Sequence, residues 1–265
     1  MSSTTQTLVE VLDVVKRFGP VVAVDGVSLR IRRGETFGLV GESGSGKSTL
    51  SALVLALEKP TSGTVRFDGI ELATVSSRSL RALRGRMQLV MQDPIGALNR
   101  RKTIGQIIGV PLAVHRWRSR AERARRVTEL LDIVGLGPAY AHRYPHELSG
   151  GQCQRVGIAR ALALNPEFMV LDEPVSAVDV AMQAQILNLL RDLQREFGLT
   201  YLFVSHDLAV VRYMCSTVAV MNAGRIIEVG SRAEVFDRPS QEYTRSLIAA
   251  SPASLEARAR GRVAS

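Results

Sequence analysis

Nine consecutive residues, Gly41, Glu42, Ser43, Gly44, Ser45, Gly46, Lys47, Ser48 and Thr49, match the pattern G-x-x-x-x-G-K-[ST] in full. The pattern constrains the fold because it works only where a strand gives way to a helix. There the backbone curls around an anion with its N–H groups turned inward, and side chains at the glycine positions would obstruct the curl. The flanks agree: residues 36–40 are a short apolar run, and from Lys47 onward the chain reads as helix. In such a loop Lys47 brings charge to the β and γ phosphates of a nucleotide. Ser48 offers a hydroxyl to Mg2+, and the helix N-terminus adds its dipole.

The rest of the chain supplies a sheet to carry that loop. Residues 8–15 and 27–31 read as strands joined through Gly19-Pro20 and Asp25-Gly26, with residues 64–67 returning before an Asp68-Gly69 turn, which predicts an antiparallel β layer. Residues 36–40, 87–91, 168–171 and 200–204 are apolar runs flanked by helical pattern, as strands of a buried parallel sheet should be. Between Gln92 and Glu147 the pattern is helical. Ser119 with Glu122 forms a capping box, and Val127, Leu130, Leu131 and Val134 keep one apolar face until Gly135. A helix after Asp179 is expected to line up Ile186, Leu189, Leu190, Leu193 and Phe197 and to close at Gly198. Residues 218–221 and 226–229 flank Asn222-Ala223-Gly224 as a hairpin. Beyond Pro252 the Ala- and Arg-rich tail has no apolar face and is expected to be disordered.

Two carboxylates, Asp172 and Glu173, end the apolar run 168–171, at the sheet edge where α/β proteins bind ligands. Beside a phosphate loop, Asp172 is suited to hold Mg2+ and Glu173 to polarise the water that attacks the γ phosphate. Without that loop the pair would read as an acidic start to the next helix. Residues 148–152 carry Ser149, Gly150, Gly151 and Gln152 at the start of a helix expected to run to about Leu164. Ser149 and Gln152 satisfy a capping box, yet each glycine in a first turn costs helix stability of ~1 kcal/mol relative to Ala. Close approach of an anion to that turn accounts for both glycines.

Leu148-Ser149-Gly150-Gly151-Gln152 is identical to the signature of ABC ATPases, and the chain resembles that family through Gly230. The resemblance implies an α/β fold: a P-loop NTPase core with a mixed sheet, an N-terminal antiparallel β subdomain and an inserted helical subdomain. It makes residues 1–250 one ATPase domain, with the helical subdomain at about 93–147 and residues 251–265 as the tail. It also implies that Phe18 stacks on adenine, that Gln92 sits near Mg2+ and the attacking water, that Asp179 links two sites and that His206 meets the γ phosphate. Each has a plainer reading as well: Phe18 in the core, Gln92 a surface amide, Asp179 a helix cap, His206 a buried hydrogen-bonded histidine.

In the family the signature meets ATP held on a second subunit. The resemblance therefore implies a head-to-tail pair of ATPases, preferably two different ones. Residues 87–94 with Ala97-Leu98-Asn99, then Asp172-Glu173-Pro174-Val175-Ser176-Ala177, then Glu242-Tyr243-Thr244-Arg245-Ser246-Leu247 are similar to the peptide and nickel uptake subfamily. Arg100, Cys153, Val178 and Ser216-Thr217 depart from the usual residues without removing a phosphate, metal or water-activating group. The subfamily implies two integral membrane permease subunits, an extracytoplasmic solute-binding protein, and a place on the cytoplasmic face of the cell membrane.

Composition narrows the alternatives. The 265 residues are 46% hydrophobic, enough for a real core, and the longest apolar run, residues 50–57, is cut by Glu58, Lys59 and Pro60. The chain is therefore expected not to cross a membrane itself, and residues 1–6 lack the basic, apolar start of a secretory signal. Net charge +9 would suit nucleic acid, but aromatics are 5% and do not interleave with the basic runs 116–126 and 258–262, so no nucleic-acid partner is expected. A repair ATPase of the coiled-coil kind would insert hundreds of residues before the signature, and a translation ATPase would carry two cassettes. Cys153 and Cys215 show no CxxC spacing and read as buried, inert thiols.

Overall fold

Alternating apolar positions in the first third of the chain build the antiparallel layer. In the computed structural model, which describes residues 6–176 and 178–250, β1 (Thr7–Phe18) pairs with β2 (Val21–Arg32) in a register that sets Val11 opposite Leu29 and Val14 opposite Val27. The expected disorder of residues 251–265 falls outside the described residues. The chain leaves the layer as β3 (Thr36–Val40) and α1 (Lys47–Val54), and returns as β4 (Ser62–Phe67) on the other edge of β1 and the two-residue β5 (Ile70–Glu71). Helix α1 stops at Val54, short of the apolar run's end at Leu57.

The chain divides into two compact units, one from Ser76–Leu199 and one from the segments on either side. In the first of these, α2 (Ser77–Arg86) leads into β6 (Met87–Val90). Helix α3 (Ile104–Val114), α4 (Arg120–Ile133) and α5 (Gly150–Leu162) follow, then β7 (Phe168–Asp172), parallel to β6, and α6 (Val180–Phe197). Arg86 clamps the β6 and β7 starts by donating to both Glu167 oxygens, at 2.5 and 3.0 Å, while Glu167 N–H donates to the Arg86 carbonyl. Arg126, the last residue of the basic run 116–126, is turned inward. It is 9% exposed and donates to Glu129, the Leu162 carbonyl and Asn165, joining α4 to the end of α5. Helix α5 ends at Leu162, and α6 buries Leu187 while Phe197 is 43% exposed, so its inward stripe is rotated from the expected one.

In the other unit β8 (Thr200–Ser205) lies parallel to β3. Helix α7 (Leu208–Met214) then leads to β9 (Thr217–Asn222), parallel to β3 on its other side, and β10 (Arg225–Ser231) folds back antiparallel on β9 through the expected Ala223-Gly224 turn. Helices α8 (Arg232–Asp237) and α9 (Glu242–Ala249) finish the described chain. The strands β10-β9-β3-β8 thus form a mixed sheet with Leu39, Val204 and Ala219 in its core. Both cysteines are free and buried, and burial pushes both thiols up.

Gly38 at the centre of β3 marks how tightly α7 packs: a Cβ there would stand 2.9 Å from both Cys215 Sγ and Val211 Cγ1. Gly38→Ala should therefore destabilise the chain by about 1–3 kcal/mol, seen as a lower urea midpoint at unchanged slope.

Candidate functional site

The loop between β3 and α1 is shaped from behind. A side chain at Gly41 would strike the Met221 carbonyl and one at Gly46, whose φ is 106°, the Ala23 carbonyl, so only glycine passes. The hairpin tip adds a bond, Gly224 N–H to the Ser45 carbonyl at 2.9 Å. Lys47 is 7% exposed, and its Nζ donates to the Gly41 carbonyl at 2.8 Å, the Glu42 carbonyl at 2.7 Å and Ser45 Oγ at 3.3 Å. The ammonium is thus held against the loop's own carbonyls. Ser43, Gly44 and Ser48 are exposed, Thr49 is half-buried, and no side chain caps the N-terminus of α1. A helix N-terminus, a lysine and a hydroxyl at a helix start are the equipment of a phosphate site.

In the unit formed by Ser76–Leu199, Gln92 and Glu173 meet: Gln92 Nε2 donates to Glu173 Oε2 at 2.8 Å. Glu173 follows Asp172, the last residue of β7, in left-handed backbone with φ 48°, a conformation that costs a non-glycine residue on the order of 1 kcal/mol. Ser176 holds the bend by donating its N–H and Oγ to the Glu173 carbonyl. Asp93 then fixes the chain after Gln92 by accepting from Ile95 N–H at 3.0 Å and Gly96 N–H at 2.9 Å, an Asx turn that the sequence reading passed over.

At the signature, Ser149 Oγ accepts from Gln152 N–H and Gln152 Oε1 accepts from Ser149 N–H, so the capping box is real. Gln152 Nε2 also donates to the Tyr140 hydroxyl at 3.0 Å. Gly150 opens the helix, and a Cβ on Gly151 would meet Met182 in the first turn of α6. Asp179 caps that same turn, accepting from Met182 N–H at 2.9 Å. The cap reading of Asp179 therefore holds, and the signature turn packs on the turn it caps.

His206 and Phe18 depart from their plainer readings. His206 directly follows β8 and is exposed, which excludes a core histidine. Phe18 is 48% exposed at the end of β1, with Lys16 Nζ 4.7 Å from its ring centroid, so it is not a core residue either. Sequence reasoning missed Tyr243, whose side chain reaches Glu42 of the loop; the signal was an aromatic residue in the quoted segment 242–247, a segment that gave no reason for such a reach.

Residues 24–176 match the family model described as ABC transporter. This chain belongs to the ABC transporter family. It is 48% identical over 259 residues to the oligopeptide transport ATP-binding protein AppF of Bacillus subtilis (strain 168), covering 93% of this chain and 79% of that one. Among solved structures it resembles cbiO1 of Clostridium perfringens, part of the ABC transporter complex cbiONQ, with TM-score 0.79, 31% identity, and 88% and 91% of the two chains covered. It is also similar to the ATP-binding cassette MJ0796 in a dimeric post-hydrolysis state bound to ADP and Pi, with TM-score 0.76, 33% identity, and 85% and 99% covered.

The Asp179 cap on α6 can be weighed by substitution. Asp179→Ala should cost about 0.5–2 kcal/mol of stability, whereas Asp179→Asn, an equally good cap, should cost little; denaturant midpoints of both variants check this.

Proposed function

We propose that this ABC ATPase hydrolyses ATP to power uptake of oligopeptides or dipeptides, working at the cytoplasmic face of the cell membrane. The observation that carries the hydrolytic reading is the strained, Gln92-bonded Glu173 directly after Asp172. The solute class is supported by the likeness to AppF over 93% of this chain. Among the described residues no helix is long and apolar enough to cross a membrane. Two integral membrane permease subunits would supply the path, with an extracytoplasmic solute-binding protein delivering the solute. A second ATPase, preferably a different chain, would complete the nucleotide sites.

The assigned roles follow the chemistry of each group. N–H groups of residues 41–49 and the Lys47 ammonium bind the β and γ phosphates, and Phe18 presents its ring to adenine. The donors offered to Mg2+ are hard oxygens: the Ser48 hydroxyl, the Asp172 carboxylate and the amide oxygen of Gln92, whose nitrogen is already committed to Glu173. Three such donors suit an ion that keeps several waters and leans on substrate phosphates. When bound, Mg2+ neutralises charge on the phosphate oxygens. Glu173 accepts a proton from the attacking water while Gln92 orients its carboxylate, and His206 donates toward the γ phosphate. Ser149, Gly150, Gly151 and Gln152 present their helix start to a nucleotide on the partner ATPase, and Asp179 connects the two sites.

The helical lobe would receive the membrane subunits. Its entry, residues 94–111, carries Arg100, Arg101 and Lys102 beside the exposed Ile95 and Val110, a surface suited to a short cytoplasmic helix.

Glu173→Gln should leave ATP and Mg2+ binding near wild type and lower turnover of the assembled transporter by about 10²–10⁴-fold. Lys47→Ala should instead weaken nucleotide binding itself, because its charge acts on ground-state phosphates as well. Nucleotide affinity and turnover measured on both variants check the split; near wild-type turnover by Glu173→Gln would remove it as the base.

A further inference from the structure

The last described helix is fastened to the sheet that carries the phosphate loop. Glu228 on β10 accepts from Ser240 N–H at 2.7 Å, Ser240 Oγ at 2.8 Å and Gln241 N–H at 3.2 Å, which pins the start of α9. Arg245 Nη1 closes the same turn by donating to the Pro239 and Ser240 carbonyls, both at 3.0 Å. Thr244 is 1% exposed, so α9 is seated and not a loose appendage.

From that seat Tyr243 turns its hydroxyl inward. The oxygen is buried and has no hydrogen-bond partner, an unfavourable state for a hydroxyl out of contact with water. Its neighbour is Glu42, whose backbone N–H and carboxylate both act on the phenol although neither completes a hydrogen bond. Burial and the nearby Glu42 charge hold the phenol above its usual range, against the pull of the Glu42 N–H, so it stays protonated and able to donate. Glu42 in turn is the residue whose carbonyl receives both Lys47 Nζ at 2.7 Å and Ser45 N–H at 3.2 Å. A shift of the 42 peptide therefore moves the lysine that carries the loop's charge.

We propose that Tyr243 is a positioning residue for the phosphate-binding loop, its buried hydroxyl engaging Glu42 and through it setting Lys47, so that α9 tunes the affinity of this chain for ATP. The proposal rests on reading residues 41–49 as the nucleotide loop. A small movement of Glu42 toward the hydroxyl satisfies both the phenol and the backbone, which makes the engaged form the favoured one when phosphate orders the loop.

The test uses the full chain as wild type, Tyr243→Phe and Tyr243→Ala. Amide hydrogen exchange of residues 41–46 in the presence of inorganic phosphate, which orders the loop, reads the contact itself, and binding of a fluorescent ATP analogue with Mg2+ reads its consequence. Tyr243→Phe keeps the ring, so its melting temperature should stay within about 2 °C of wild type. Its loop amides should exchange faster, and its ATP affinity should fall about three- to tenfold, the worth of one hydrogen bond. In the assembled transporter KM for ATP should rise by the same factor, with kcat within about twofold. Wild-type exchange and affinity in Tyr243→Phe would overturn the proposal, even if Tyr243→Ala were impaired, since only ring packing would then matter. Failure of the wild-type chain to bind ATP would instead count against the nucleotide reading, and the exchange comparison would still decide whether the hydroxyl holds Glu42.

Discussion

The shape of the loop between β3 and α1 depends on carbonyls that crowd its back. The Met221 and Ala23 carbonyls leave no space for a Cβ at Gly41 and Gly46, and Gly224 N–H holds the Ser45 carbonyl. A loop pressed from behind in this way is the kind of backbone concavity that can take up an anion. Those carbonyls come from β2 and β9, so the antiparallel layer and the β9–β10 hairpin are parts of the loop's mould. The Asp25–Arg225 ion pair at 2.7 Å and the bond from Asp25 N–H to the Gly224 carbonyl tie the two together.

A second constraint sits after β7. Placing a carboxylate at the tip of a buried strand is easy; holding it at φ 48° requires compensation from Ser176 and from the Gln92 amide. Gln92 opens the segment that leads into the helical lobe, and Asp93 locks that segment in an Asx turn. Any displacement of the lobe entry therefore pulls on the amide that orients Glu173. Under the proposed function, a membrane subunit pressing on residues 94–111 would reach the Glu173 carboxylate through one side chain.

Much of this was legible because it is local. The strand-to-helix turn that carries residues 41–49, the capping boxes at Ser119 and Ser149, the closing glycines Gly135 and Gly198 and the Ala223-Gly224 turn are each set by residues within a few positions, and each stands as read. What was not legible depends on distance. The Gln92–Glu173 bond spans 81 positions, and the positive φ of Glu173 leaves no trace in a carboxylate's identity. Leu187, not Phe197, faces inward on α6 because a stripe of apolar residues leaves the rotation of the helix undetermined until its neighbours are placed. The seating of α9 against Glu228 and Glu42 was invisible for the same reason: nothing near Tyr243 in sequence shows what its hydroxyl faces.

The central claim is that the chain supplies one half of each of two nucleotide sites. Its phosphate loop, shaped by glycines, and its signature helix start, capped by Ser149, lie on separate elements, and in this account each meets a different nucleotide. Turnover should then depend on a second ATPase. The direct measurement is ATP hydrolysis by the purified chain over a dilution series, alone and with its partner ATPase, comparing this chain as wild type with its Ser149→Arg variant, in which Lys47 is intact. The account predicts negligible turnover by dilute monomer, turnover that rises with the partner, and loss under Ser149→Arg of hydrolysis at the partner's loop while this chain's own loop still binds ATP. Full, concentration-independent turnover by the monomer would contradict it.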